Sequence, residues 1–329
     1  MLNMKIKNNL KRDENNMTNK EKYREFCKKE KDIPIFSKDW WLDAVCGEDD
    51  WDVALVEKNN NIVASFPYRI TYKYIFKLIH MPTLTQQIGV HIKYPENQSY
   101  YKRISWENQL ISELIDKLPK FDYFCQNIHS NNSNWLPFYW KGFNQTTRYT
   151  YRLYNIKDIE QIFNNFSHSR RKDIKKNQNK INVKFDLDFN QFYELQKKMY
   201  KNVSFSKELF SKIYHSVYKN ESGRAIYAID DEKNIHSALF IMWDSCCAYY
   251  ILTCINPNFR NSGADSLLIY ESIKYVSQFV DVFDFFGSMM EKVEPVRRSF
   301  GAVQVPYFTI TKTNSKILKI RELIKEIVK

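Results

Sequence analysis

CCAYYILTCINPNFRNSGAD, residues 246–265, and the stretch that follows it to residue 308 decide the fold. Residues 246–255 are an apolar run rich in aromatic and β-branched side chains, the composition of a buried strand. The polar loop NPNFRNSGAD (256–265) follows, and 266–280 then reads as a helix. A second apolar run at 280–286 closes on Gly287-Ser288, and a glycine hook leads into a last strand. A strand that feeds a helix through a loop of small residues aims backbone N–H groups and the positive end of a helix dipole at one spot. Such a spot suits a phosphate, a pyrophosphate or a carboxylate. The chain has only 7 glycines in 329 residues, so each is expected where the backbone requires it.

Two other segments look alike. VALVEKNNNIVASFPY (53–68) and IYAIDDEKNIHSALFI (226–241) are each a strand, a charged turn ending in Asn-Ile, and a second strand. This is the pattern of a β-hairpin with a longer loop. Helix-like sequence precedes both: Trp40, Trp41 and Val45 before the first; Phe205, Leu209, Phe210, Ile213 and Val217 before the second. Order and spacing agree as well as composition, which favours a duplicated α/β unit over two unrelated hairpins. Between them lie strands at 76–81, 123–128 and 148–153, a helix at 106–118 and an aromatic helix at 135–143. The boundary falls near 154–158. A helix at 159–179, a strand at 182–185 and a helix at 189–200 open the second half. The expected division is a polar lead-in (1–30), a first domain (31–155), a second (156–312) and an amphipathic helix (313–329) carrying Ile317, Ile320, Leu323, Ile324 and Ile327.

With 43% hydrophobic and 16% aromatic residues the chain has material for substantial cores, which excludes global disorder. No apolar run is long enough to span a bilayer, so stable membrane insertion is not expected. The N-terminus lacks the apolar core of a secretory signal, which places the chain in the cytoplasm, with Met17 as an alternative start. The six cysteines form no CxxC pair and the six histidines are scattered, so free thiols and no metal site are expected. A formal charge of +12 favours anionic partners without choosing among nucleic acid, a phosphorylated cofactor and a membrane surface.

Four constellations offer chemistry. Arg260-Asn261-Ser262-Gly263-Ala264 reads either as an anion cradle or as an ordinary turn capped by Ser262 or Asn261. Asp284, late in a strand beside a glycine, stands where α/β sheets bind ligands, or caps the following turn; Ser288, Arg297 and Arg298 lie beyond it. SHSRRKDIKKNQNK (167–180) is a basic helix start, either a phosphate-contacting face for tRNA or a solvated surface. The first-half aromatics, among them Trp40, Trp41, Tyr68 and Trp135, line a substrate cleft or pack a core.

At these residues the chain resembles the tandem acyltransferases that combine the GNAT fold with the FemABX-like, methicillin-resistance-type layout. The likeness covers about residues 33–312. It is carried by PIFSKDWWLDAVCG (34–47), the hairpin at 53–68, LPFYWKGF (136–143), SRRKDIKK (169–176), NPNFRNSGADSLL (256–268) and DFFGSMMEKVEPVRRSFGA (284–302). The resemblance implies a mixed α/β protein: two GNAT-like domains in tandem, each a twisted mixed sheet flanked by helices, sharing a cleft. It implies transfer of an acyl or aminoacyl group from acyl-CoA or aminoacyl-tRNA to an amine, on a peptidoglycan precursor or an amino sugar of a surface glycan. GNAT enzymes hold the donor pyrophosphate with an R/Q-x-x-G-x-G/A loop. Arg260 to Ala264 match it, but Asp265 stands at the last position, where a carboxylate repels pyrophosphate unless it turns away. The long coiled-coil arm of some FemABX members is absent.

The mechanism this implies is direct attack by a neutral amine. Asp284 is the candidate base, and Tyr307 the candidate acid or else a packed strand aromatic. Backbone N–H groups near Ile255 polarise the donor carbonyl. Arg260 and the amides of Ser262, Gly263 and Ala264 hold the donor phosphates, and Trp40, Tyr68, Ser288 and Arg298 meet the acceptor. The expectation is acetyl-CoA as donor and an amino sugar in cell-envelope synthesis as acceptor. Aminoacyl-tRNA with a cell-wall peptide is the alternative, and a non-catalytic protein that binds nucleic acid or anionic membrane is a third.

Overall fold

The computed structural model describes residues 17–200, 203–287 and 289–327. In chain order its elements are α1 (Asn19–Lys29), α2 (Asp39–Cys46), β1 (Trp51–Lys58), β2 (Asn61–Lys73), β3 (Phe76–His80), β4 (His91–Ile92), α3 (Tyr100–Asp116), β5 (Tyr123–Ile128), α4 (Leu136–Trp140) and β6 (Asn144–Tyr154). The second half contributes α5 (Ile159–Asn165), α6 (His168–Asn177), β7 (Asn182–Phe185), α7 (Phe189–Met199), α8 (Lys207–Lys219), β8 (Gly223–Ile229), β9 (Ile235–Trp243), β10 (Ala248–Ile255), α9 (Ala264–Val276), β11 (Val282–Asp284), α10 (Glu294–Arg298), β12 (Val303–Thr313) and α11 (Lys316–Ile327).

Local chemistry sets the boundaries. Thr18 caps α1 reciprocally with Glu21, and Tyr23, Phe26 and Cys27, spaced for one helical face, bury against Trp51. Part of the expected lead-in is therefore core; residues 1–16 lie outside the described residues. The first hairpin turns on Asn59-Asn60 alone, both left-handed (φ 51° and 61°), a tighter loop than the sequence suggested. Asparagine tolerates that region, so the two-residue turn follows from the residue type. The single helix expected at 159–179 is broken at Phe166-Ser167, where the Ser167 side chain caps α6.

The strands run β1-β2-β3-β5-β12-β6-β11-β10-β9-β8-β7, with β4 beside β2. The two halves repeat one plan. A helix and a hairpin (α2, β1, β2; α8, β8, β9) lead to a strand, a crossover helix and a parallel partner: β3 with β5 through α3, and β10 with β11 through α9. Each half then gives its last strand to the other: β6 pairs with β11, and β12 pairs with β5. The swapped strands lie antiparallel side by side from Arg152–Val303 to Asn144–Thr311. The mixed sheets of the two halves are thereby joined into one sheet. Helices cover both faces: α3 and α4 pack on one side of the first half and α1 on the other, while α6 with α9, and α7 with α8, sandwich the second. Among the described residues no helix is long and apolar enough to cross a membrane.

Candidate active site

The parallel strands β10 and β11 pair only at Ala248–Phe283 and Tyr249–Asp284. Beyond Tyr249, β10 continues to Ile255 against β9 alone, while the chain leaving β11 turns to β6, with Phe285 N–H donating to Tyr151 O at 2.9 Å. The strands part, and one side of β10 is left without a strand partner. The unpaired groups meet α7: Gln196 Nε2 donates to Thr253 O at 3.4 Å and Ile255 N–H points at Met199 Sδ at 3.2 Å. A thioether is a weak acceptor, so the Ile255 amide stays a ready donor for a stronger one.

On the opposite lip α10 presents Arg297. Its guanidinium lies 4.4 Å from the Tyr250 ring centre and 5.4 Å from that of Phe285. Its Nε is buried and has no hydrogen-bond partner among the described residues. Arg69 Nε shares this status, and what singles out Arg297 is its place beside the rings that flank the parting. Tyr200, at the end of α7, is close enough for Arg297 to pull its pKa down while burial pushes it up further.

The first half has the same parting and fills it with its own chain. After β3 the loop 81–90 runs along β5: Ile88 N–H donates to Asn127 O and Asn127 Nδ2 to Gln86 O, both at 2.8 Å. Gln86, Gln87 and Ile88 are buried there. The second half reaches α9 by a shorter loop, residues 256–263, and the free side of β10 is met instead by Gln196 and Met199 of α7.

The turn that leads into α9 is not open. Gly263 has φ +78°, and a Cβ built on it would stand 2.8–2.9 Å from the Asp173 side chain of α6. Asn177 Nδ2 donates to Ser262 O at 3.0 Å, and Arg170 reaches Asp265 at 3.3 Å and Ser266 Oγ at 2.9 Å. Burial pushes the Asp265 carboxyl up and Arg170 pulls it back. Two carboxylates thus stand at the helix start where the loop reading placed a phosphate. Arg260 and Asn261 are exposed outside this contact. The basic helix divides accordingly: Arg170, Asp173 and Asn177 face the loop, while Lys172, Lys175, Lys176 and Lys180 face solvent.

The other residues given roles from the sequence are placed as follows. Asp284 is fully buried. Its oxygens accept from Thr150 Oγ1, from Arg152 Nε at 2.8 Å and from Phe286 N–H at 2.7 Å. Thr150 in turn accepts from Gln86 Nε2 at 3.0 Å. This chain of polar groups ties the two halves together at the root of the parting and holds both Asp284 oxygens in structural bonds. Burial works against the Arg152 charge, but Asp284 outweighs it and holds the guanidinium more firmly protonated. Tyr307 is buried on β12, two strands from β11, opposite Arg148. Tyr68 is buried in the first-half core. Trp40 lies on α2 beside Trp41, at a surface cavity of about 350 Å³ that Trp243 also lines. Arg298 is exposed and paired with Glu294 at 3.0 Å. Ser288 lies outside the described residues. The structure therefore places Ile255 and Asp284 on the two strands that part, sets the 260–264 loop against α6, and places Tyr307, Trp40, Tyr68 and Arg298 elsewhere. The residues missed were Tyr200, Tyr250 and, as the inward arginine, Arg297. Helical phase distinguishes Arg297 from Arg298, because Val293, Arg297 and Phe300 fall on one stripe.

Comparison with known proteins agrees with this geometry at the level of fold. No protein-family profile and no curated protein sequence matches the chain. Among solved structures, FemX superposes with a TM-score of 0.67 at 10% identity, over 89% of this chain and 96% of that one. A conserved protein of unknown function from Bacteroides thetaiotaomicron gives 0.56 at 12% identity, over 91% and 98%. L-PGS from Bacillus licheniformis gives 0.50 at 8% identity, over 84% and 88%. The chain has a GNAT-like, Fem-type fold.

Proposed function

We propose that the chain is a Fem-type transferase that moves an aminoacyl group from tRNA to the amine of a cell-wall peptide, with the ester in the parting between β10 and β11. The observation that carries the choice of donor is the closed turn at Gly263. Coenzyme A needs free amides there for its pyrophosphate, whereas the Ser262 and Ala264 N–H groups already donate to Phe259 O and Ser262 Oγ, and the carboxylates of Asp173 and Asp265 lie beside the turn. A tRNA ester needs instead an opening for its 3′ end and a cationic approach for its backbone. The parting and the solvent-facing lysines of α6 supply these. This favours the tRNA ester over acyl-CoA as donor, with acyl-CoA and an amino-sugar acceptor as the competing reading that assays with both donors separate.

In the reaction the neutral amine attacks the ester carbonyl, the carbonyl oxygen gains charge, and the C–O bond to the ribose breaks. Ile255 N–H on β10 and Arg297 Nε–H on α10 are donors along the parting, and Arg297 is assigned to that oxygen. The amine proton passes to the departing hydroxyl, which keeps the balance without Asp284. The test is binding and single-turnover transfer with aminoacyl-tRNA and with acetyl-CoA. Binding of tRNA is expected to weaken steeply with salt. Transfer is expected to fall about 10²–10³-fold in Arg297→Ala, the loss seen when one oxyanion donor is removed, and little in Arg298→Ala. Saturable acetyl-CoA binding lost on replacing Gly263 would restore the CoA reading. Salt-sensitive tRNA binding with no transfer would make the chain a binding protein.

A further inference from the structure

The tip of the β2–β3 hairpin is apolar and bare. Tyr72, Tyr74 and Ile75 are 70%, 89% and 81% exposed. α11 lies beside it with Ile317, Ile320 and Ile324 also facing outward, each more than half exposed. The two elements meet over an apolar cavity of about 280 Å³, lined by Tyr74, Phe76, Leu78, Tyr123 and Leu318 and rimmed by Lys73 and Arg321. A contiguous apolar surface of this kind on one element pair marks a contact site rather than ordinary scatter.

The charge around it is predominantly positive. Lys73, Lys316, Lys319 and Arg321 are exposed beside the apolar side chains. The sequence 312–329 carries six basic residues against two acidic. Aromatic and aliphatic side chains ringed by lysine and arginine are complementary to an anionic bilayer, whose headgroups attract the cations while its boundary takes the apolar groups. A protein partner that buried this surface would have to match the cations with carboxylates, whereas an anionic lipid surface supplies the charge at every position.

Strand directions add a geometric point. β3 is parallel to β5, and β12, β6 and β11 then alternate antiparallel, with β10 parallel to β11. The start of β3, and so the hairpin tip, therefore lies at the same end of the strands as the open end of the β10–β11 parting. We propose that the hairpin tip and α11 form a docking surface for a membrane containing anionic phospholipid. This surface is independent of which donor the site takes.

The experiment is co-sedimentation of the full chain with vesicles of phosphatidylglycerol and phosphatidylcholine, beside vesicles of phosphatidylcholine alone. Binding is expected with the mixed vesicles only, and to weaken as salt rises. Tyr74→Ser with Ile75→Ser, at positions too exposed to support the fold, is expected to reduce binding at least tenfold. Lys316→Glu with Lys319→Glu is expected to reduce it further, since each cation at such a surface contributes roughly fivefold. Absence of binding to mixed vesicles, or binding untouched by both variant pairs, overturns the proposal. So does a wild-type dimer in analytical ultracentrifugation that the tip variants dissociate, because a second copy would then cover the patch.

Discussion

Asp284 shows how one residue type admits two jobs. A carboxylate late in a strand at a sheet opening reads as a base from sequence, and the same residue becomes a brace once Thr150, Arg152 and the Phe286 amide fill its oxygens. Nothing within its own stretch of sequence signals Arg152, which lies 132 residues away. Because both charges are buried, removing one is expected to strand the other. Asp284→Asn should lower the urea stability by about 3–5 kcal/mol, as for other broken buried pairs, and Arg152→Met with Asp284→Leu should lose less than that single change. A variant Asp284→Asn of near-native stability and no transfer activity would return the residue to the role of base.

At the scale of elements the decisive contact is α6 on the start of α9. Gly263 serves it twice: its φ of +78° suits a residue without a side chain, and the Asp173 side chain takes the space a Cβ would need. Gly263→Ala is expected to destabilise the fold by about 1–3 kcal/mol, the usual range for a strained backbone position. In an Asp173→Gly background the same change should cost less, because only the backbone strain remains. Strict additivity in that double-mutant cycle, measured by urea unfolding, would refute the contact. The elements themselves were largely legible. The strands at 246–255 and 123–128, the two hairpins and the crossover helices announce themselves through period and composition, because each buries a face along its own length. The closing of the Gly263 turn was not legible, because it depends on Asp173 arriving from a different helix. The inward turn of Arg297 was half legible: its stripe is in the sequence, but the rings it stacks on come from β10 and from the chain after β11.

The whole molecule is organised by exchange. If each half kept its own last strand, the chain would read as two domains joined near 154–158, as the sequence suggests. Instead β12 lies between β5 and β6, and β6 lies between β12 and β11. Sequence pattern cannot specify this, since β6 and β12 bury the same alternation whichever half they join. The exchange has an energetic consequence. A first half made alone lacks one of the two partners of β5 and both partners of β6; a second half alone lacks one of the two partners of β11 and both partners of β12. Each would expose long unpaired edges, which invite aggregation. Full-length protein is therefore expected to unfold in urea as one transition by fluorescence and circular dichroism together. Residues 17–158 and 156–329 expressed apart are expected to be insoluble or unfolded, and to regain native circular dichroism only when expressed together. If either piece alone gives a cooperative transition with native-like spectra, each half holds a sufficient core without the exchanged strand, and the single sheet joins two domains that are independently stable.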